Sequence, residues 1–124
     1  MHSHSIVFRD LKPSNVGFDL NGEVKIFDFG LAKIFQPGTS VKEYCGSPRY
    51  MAPEVFQQQQ YEHPVDIYSF GILLWEICSM KKPFGNTSLK SLRRKIIEGI
   101  RPKLLSNWNI SLRNLIKTCW DVNP

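Results

Sequence analysis

The strongest pattern along the chain is the run from Val65 to Cys78, apolar on nearly every helical face, with Tyr68, Ser69 and Glu76 as its main interruptions. Pro64 suits the first helical position, where its missing N–H costs nothing. A helix that is apolar all round needs neighbours all round, so this one is predicted to be central. It is predicted to stop near Lys81-Lys82-Pro83. A second helix is predicted from Ser88 to Glu98, with Leu89, Leu92, Ile96 and Ile100 on one face and Gly99 closing it. A third is predicted from Ser111. There Leu112, Leu115, Ile116, Cys119 and Trp120 recur at i, i+3, i+4, i+7 and i+8.

Before Pro64 the apolar runs are short. Ile6-Val7-Phe8 reads as a strand. Val16–Leu20 and Glu23–Phe27 flank Asn21-Gly22, a pair whose residues both tolerate positive φ, so a hairpin is predicted. Gln36-Pro37-Gly38-Thr39-Ser40 has loop composition. Strands first and helices afterwards give an α+β order in which the β part is minor. No internal repeat or linker interrupts the chain.

Composition narrows the class. The chain has 124 residues and is 42% apolar, a globular composition. No apolar run reaches the roughly 18 residues of a membrane span. The opening MHSHSIVFRD lacks an apolar signal region, so a cytoplasmic or nuclear setting is expected, with no membrane partner. Cys45, Cys78 and Cys119 are odd in number and far apart, which argues against disulfides and zinc. His2 and His4 have no third ligand nearby and are expected at a frayed end. Asn86-Thr87-Ser88 and Asn109-Ile110-Ser111 fit the glycosylation pattern but read as chance without a secretory signal. The net charge is +5, densest at Lys81-Lys82 and Arg93-Arg94-Lys95. No aromatic residues interleave with these cations, so they read as solvated surface rather than as a nucleic-acid face.

The candidate chemistry lies in the first quarter. Asp10, Lys12 and Asn15 stand in Arg9-Asp10-Leu11-Lys12-Pro13-Ser14-Asn15, and the hairpin that follows delivers Asp28 in Asp28-Phe29-Gly30. Each has a plain reading alone: a turn former, a cap, a strand end. Together they form a set suited to phosphoryl transfer, which needs a carboxylate for the acceptor hydroxyl, a cation for the phosphate and oxygen ligands for Mg²⁺.

Val7 to Asn15 resembles the catalytic loop of eukaryotic protein kinases, and Asp28-Phe29-Gly30 resembles their metal-binding motif. Met51-Ala52-Pro53-Glu54 resembles the end of the activation segment, and Val65 to Gly71 the start of the lobe's central helix. Cys119-Trp120 and Asn123-Pro124 resemble a late helix of the same lobe. The order and spacing of these motifs identify the chain as a fragment of the kinase C-terminal lobe, a mainly helical α+β unit with a small hairpin, lacking the Gly-rich loop and its Lys-bearing strand.

The resemblance implies roles. Asp10 would orient the acceptor hydroxyl and take its proton; Lys12 would neutralise the transferring phosphate. Asn15 and Asp28 would hold Mg²⁺ and, through it, ATP. Arg9 would hold the activation segment through an acidic or phosphorylated group. Glu43, four residues before Ser47, stands where many relatives carry a phosphorylated Thr; a solvated loop acid is the plain alternative. Ser47 replaces a Thr that bonds near Asp10 and Lys12. Glu54 would pair with an Arg beyond Pro124, and Asp66 would anchor the backbone of Phe8 and Arg9. Lys12 favours Ser/Thr of protein substrates, and Cys119-Trp120 with Pro83-Phe84 gives a tyrosine-kinase-like flavour. Two positions depart from the family: Phe8 replaces a His, and Gly17 replaces a bulky residue under the adenine.

The implied function is thus an ATP-dependent Ser/Thr protein kinase, inactive as this piece alone. The alternative is a non-catalytic, pseudokinase-like interaction module, against which the intact Asp10, Lys12, Asn15 and Asp28 speak. With neighbouring helices of the lobe missing, Leu73, Leu74, Trp75 and Ile77 are expected to present some face to water.

Overall fold

The computed structural model describes residues 1–36 and 38–121. Asn123-Pro124 and Pro37 lie outside the described residues. Two small antiparallel pairs are followed by helices. β1 (Ile6–Val7) pairs with β4 (Lys33–Ile34) in the register Val7↔Lys33, and β2 (Val16–Phe18) pairs with β3 (Val24–Ile26). The helices are α1 (Pro53–Phe56), α2 (Pro64–Ser79), α3 (Leu89–Ile97) and α4 (Ile110–Trp120). No described helix is long and apolar enough to cross a membrane.

The core forms where α2, α3 and α4 meet α1 and β1. Phe56, Ile72, Ile96 and Ile116 are fully shielded there, with Val7, Tyr68 and Trp120 around them. Each such side chain contributes about 1.5–3 kcal/mol relative to exposure. α2 and α4 approach closely at Gly71, where an added Cβ would come within 2.6 Å of the Cys119 side chain. Trp75 spans from α2 to the segment before α4, its indole N–H donating to the Lys103 carbonyl at 3.0 Å.

Helix ends follow local chemistry. Ser88 caps α3 by accepting from the Ser91 N–H, and Asn109 caps α4 by accepting from the Ser111 N–H at 2.7 Å. At the end of α3 the Gly99 N–H donates to the Ile96 carbonyl and the Ile100 N–H to the Lys95 carbonyl. Gly99 takes the left-handed φ of +78° that this closure needs.

Several expectations change. The hairpin strands are shorter than the apolar runs, because the loop is organised by Asp19 rather than by a two-residue turn. Asp19 Oδ1 accepts from the N–H groups of Asn21 and Glu23, which leaves Leu20 fully exposed. β4 carried no recognisable pattern at two residues. Leu89, Ile100 and Leu115 share helical faces with core residues but stand half in solvent, at the margins of those faces. Leu73 and Trp75 are buried, contrary to expectation, because α4 and the loop before it cover them. Ile77 is exposed and Leu74 half-buried, as expected, and Ile67 and Phe70 are exposed as well.

Candidate functional site

The site is built outward from the start of α2. Asp66 sits in its first turn, where a carboxylate is favoured by the helix dipole. Its Oδ2 accepts from the Phe8 N–H and its Oδ1 from the Arg9 N–H, each at 2.7 Å. The bonds cross 58 and 57 residues of sequence and are shielded from water, Asp66 being 5% exposed. They hold Arg9 at a φ of +69°, a strained value for a residue with a side chain. The loop therefore turns at Arg9 and points Asp10 away from the core.

His2 was expected at a frayed end. Its Nε2 lies 2.9 Å from Asp66 Oδ2 and its ring meets His63 edge-on, so it belongs to this anchor. No spacing signal in the sequence joins residue 2 to residue 66. Phe8 packs edge-on against Phe29 with centroids 5.2 Å apart, linking the loop to the segment after Asp28.

Asp10 is 9% exposed and Asn15 5%. Asn15 Nδ2 donates to the Asp10 carbonyl at 2.9 Å and to its Oδ2 at 3.2 Å. Lys12 Nζ lies 2.7 Å from the same Oδ2 and donates to Ser47 Oγ at 2.9 Å. Burial by itself would raise the Asp10 pKa; the neighbouring Lys12, Ser47 and Asn15 outweigh it and hold the carboxyl below its ordinary range. The carboxylate is thus ready to accept. Its Oδ1 is buried with no hydrogen-bond partner among the described residues.

Asp28 stands apart from this knot. It is exposed, takes a left-handed φ of +57°, and among the described residues its Oδ1 accepts only from the Gly30 N–H, at 3.2 Å. Asp10, Lys12, Asn15 and Ser47 are brought together by direct contacts; Asp28 is brought to the same end by the hairpin, where the Phe27 N–H donates to the Asn15 carbonyl at 2.9 Å, and by the Phe8–Phe29 contact. Next to Asp28, Phe27 lies over Gly17, where an added Cβ would come within 2.8 Å of the ring. Phe27 fills the space that the small residue leaves. Among the described residues no group of three or more His, Cys, Asp or Glu side chains could hold a metal ion.

Arg9 reaches the other way. Its Nη1 donates to Glu43 Oε2 at 2.6 Å and to the Tyr61 hydroxyl at 3.3 Å, and its Nε to the Leu31 carbonyl at 2.6 Å. Lys33 also donates to the Glu43 carboxylate. Lys33 first and Arg9 second hold Glu43 well below the usual carboxylate range, at about 2. Lys33 was missed from sequence. The register Val7↔Lys33 places it beside the loop, but a two-residue strand leaves no periodicity to read. Gly46, at φ +108°, brings the chain against the Arg9 carbonyl; a Cβ there would come within 2.5 Å of that oxygen.

Glu54 lies away from Asp10. It faces a cavity of about 240 Å³ with Tyr68, Ile96, Cys119 and Arg101. Burial pushes its carboxyl up, and the Arg101 charge partly offsets that. Arg101 sits 5.0 Å over the Tyr68 ring, whose buried hydroxyl has no hydrogen-bond partner among the described residues.

A carboxylate, a lysine and an asparagine are thus gathered on one loop, backed by an aspartate at the central helix. The protein kinase domain model matches residues 1–124, and the chain belongs to that family. It is 44% identical over 128 residues to a probable serine/threonine-protein kinase of Dictyostelium discoideum, covering 100% of this chain and 12% of that one. It is 41% identical over 99 residues to the mouse serine/threonine-protein kinase SIK1, covering 79% and 13%. It is 38% identical over 131 residues to the dual specificity protein kinase shkB of Dictyostelium discoideum, covering 100% and 20%. The chain thus spans a small fraction of the length of these relatives.

Proposed function

We propose that residues 1–124 form part of the C-terminal lobe of a tyrosine-kinase-like serine/threonine protein kinase, running from the catalytic loop to a late helix. The observation that carries this reading is the buried, unpartnered Asp10 Oδ1 beside Lys12 and Ser47. A buried carboxylate oxygen without a donor is costly unless a donor arrives. The Ser or Thr hydroxyl of a protein substrate is such a donor.

In this reading Asp10 orients that hydroxyl and accepts its proton, and its lowered pKa keeps it ionised. Lys12 lies within ion-pair distance of Asp10 and neutralises charge on the group being transferred. Asn15 spends its amide N–H on Asp10 and keeps its carbonyl oxygen for a cation; Asp28 contributes its exposed carboxylate. Two oxygen donors without a closed cage fit Mg²⁺, which usually takes one or two protein oxygens and completes its shell with water and phosphate. Bound Mg·ATP supplies the phosphoryl group. Asp66 is a positioning residue for Asp10. Arg9 and Lys33 hold Glu43, so the activation segment is fixed by a permanent carboxylate in place of a phosphate, with Ser47 delivered beside Lys12. Glu54 closes the segment at α1.

The test uses the full natural protein containing this chain. It should transfer phosphate from ATP to Ser/Thr peptides in a Mg²⁺-dependent way. Asp10→Asn keeps the shape but loses the base, and turnover should fall by roughly 10²–10⁴. Equal turnover of the variant would refute the role. Phosphorylation of Tyr peptides at a matching rate would move the protein to the dual-specificity side.

A further inference from the structure

The loop that follows α2 is tied to the turn that carries Ser47. Arg49 donates to the Pro83 carbonyl, and to the Gly85 carbonyl at 3.0 Å. The Tyr50 hydroxyl donates to Glu76 and the Ser69 hydroxyl to the Tyr50 carbonyl, so the turn is also bound to α2. Ser47 itself contacts Lys12. The loop is therefore held one step from Asp10, by bonds rather than by chance proximity.

Beside it lies an open cavity of about 440 Å³. Lys81, Lys82 and Lys103 line it, with Trp75 and Phe84 as an apolar floor and Asn86 at the rim. Lys103 is fixed in place because its carbonyl accepts from the Trp75 indole. No acidic residue lines the cavity, and among the described residues none of the three ammonium groups has an ion-pair partner. The acid nearest in sequence, Glu76, is engaged by Tyr50. Lysines on a convex surface are simply solvated. Three lining one concavity with no acidic residue among its walls create a positive potential that draws in anions.

We propose that this groove docks an Asp/Glu-rich segment of the protein substrate, at a distance from the acceptor hydroxyl set by the chain between them. The acidic side chains meet Lys81, Lys82 and Lys103, and the aliphatic parts of the segment lie on Trp75 and Phe84. Docking there raises the local concentration of the hydroxyl at Asp10 and selects substrates by charge. The assignment of the segment to a substrate rests on the kinase reading above.

The experiment measures fluorescence anisotropy of a labelled ten-residue Asp/Glu peptide containing one Ser, titrated with the full natural protein. Binding should weaken as salt rises from about 50 to 200 mM, because exposed charges are screened. The triple variant Lys81→Gln/Lys82→Gln/Lys103→Gln removes the charges and keeps similar side-chain bulk. It should bind roughly tenfold more weakly with an unchanged melting temperature. Charge reversal at the same positions to Glu should abolish binding and admit a Lys-rich peptide. Should the Gln variant bind the acidic peptide as tightly as the parent, the groove assignment is wrong. Equal displacement of the peptide by a single-stranded oligonucleotide of matched charge would mark a generic anion patch and also overturn it. Phosphorylation of a neutral Ser peptide is measured in parallel. Transfer without lysine-dependent docking removes the groove alone; lysine-dependent docking without transfer to any peptide removes the kinase reading.

Discussion

Asp10 and Asp28 lie at the same end of the molecule, yet their surroundings differ sharply. Asp10 is buried and tied to Lys12 and Asn15, with its loop bonded to Asp66 on the central helix. Asp28 is exposed and bonds only to Gly30, two residues on, with Phe27 and Phe29 half in water around it. The first is fixed by the fold of this chain. The second is fixed by its own backbone turn. On the proposed assignment the acceptor half of the site is organised before any ligand arrives, whereas the metal half takes its final geometry from the ligand.

Breaking the anchor should have the largest effect on stability. Asp66→Ala leaves the Phe8 and Arg9 N–H groups buried without acceptors, each costing about 1–3 kcal/mol. A loss of roughly 2–5 kcal/mol is expected, a large part of the about 5–15 kcal/mol that holds a domain. Thermal melting of the natural protein measures it. Asp66→Asn keeps one acceptor oxygen and should lose less. If the Ala variant melts with the parent, the two halves of the site are not differently anchored.

Asp28→Ala is the opposite case. No tertiary bond among the described residues is lost, so the stability without ligand should fall by no more than about 0.5 kcal/mol, read from thermal melting. On the proposed function, Mg·ATP should stabilise the natural protein against melting and fail to stabilise the variant. A large loss of stability without ligand would mean that Asp28 is structurally held after all.

The Glu43 clamp should produce the smallest change, visible mainly by titration. Lys33 and Arg9 hold its pKa at about 2, below the ordinary carboxylate value. The folded pKa is the depressed one, so the clamp contributes fully above the ordinary value and is lost as pH falls through about 2. An NMR titration should find Glu43 still ionised near pH 4, where free glutamate is about half protonated. Ordinary titration would show that the ion pairs are not kept in solution. Glu43→Gln should lower basal kinase activity in the natural protein with little change in melting.

Much of the helical half was legible because its signals are local and periodic. The α2 boundaries followed from Pro64 and the Lys81-Lys82-Pro83 stop, and those of α3 from Ser88 and Gly99. The hairpin was legible in existence but not in extent, since Asp19 takes over the turn by bonding two backbone N–H groups that a two-residue loop would leave to the strands. The Asp10, Lys12 and Asn15 grouping was visible because six consecutive residues of one loop contain it. The parts that escaped were long-range: His2 on Asp66, Lys33 on Glu43, and Tyr61 on Arg9.

By itself, the sequence determined the three longer helices, which loop carries the acid, lysine and amide, and that α2 is apolar enough to sit at the centre; α1 was not visible in it. Periodicity and caps act within a few residues, so a linear pattern records them. Tertiary structure decided which oxygens of Asp66 and Asp10 find donors, which apolar side chains of α2 are covered, and where Lys81, Lys82 and Lys103 converge. Those outcomes depend on which distant segments are packed side by side. A hydrogen bond across 58 residues leaves no trace in the spacing of either partner.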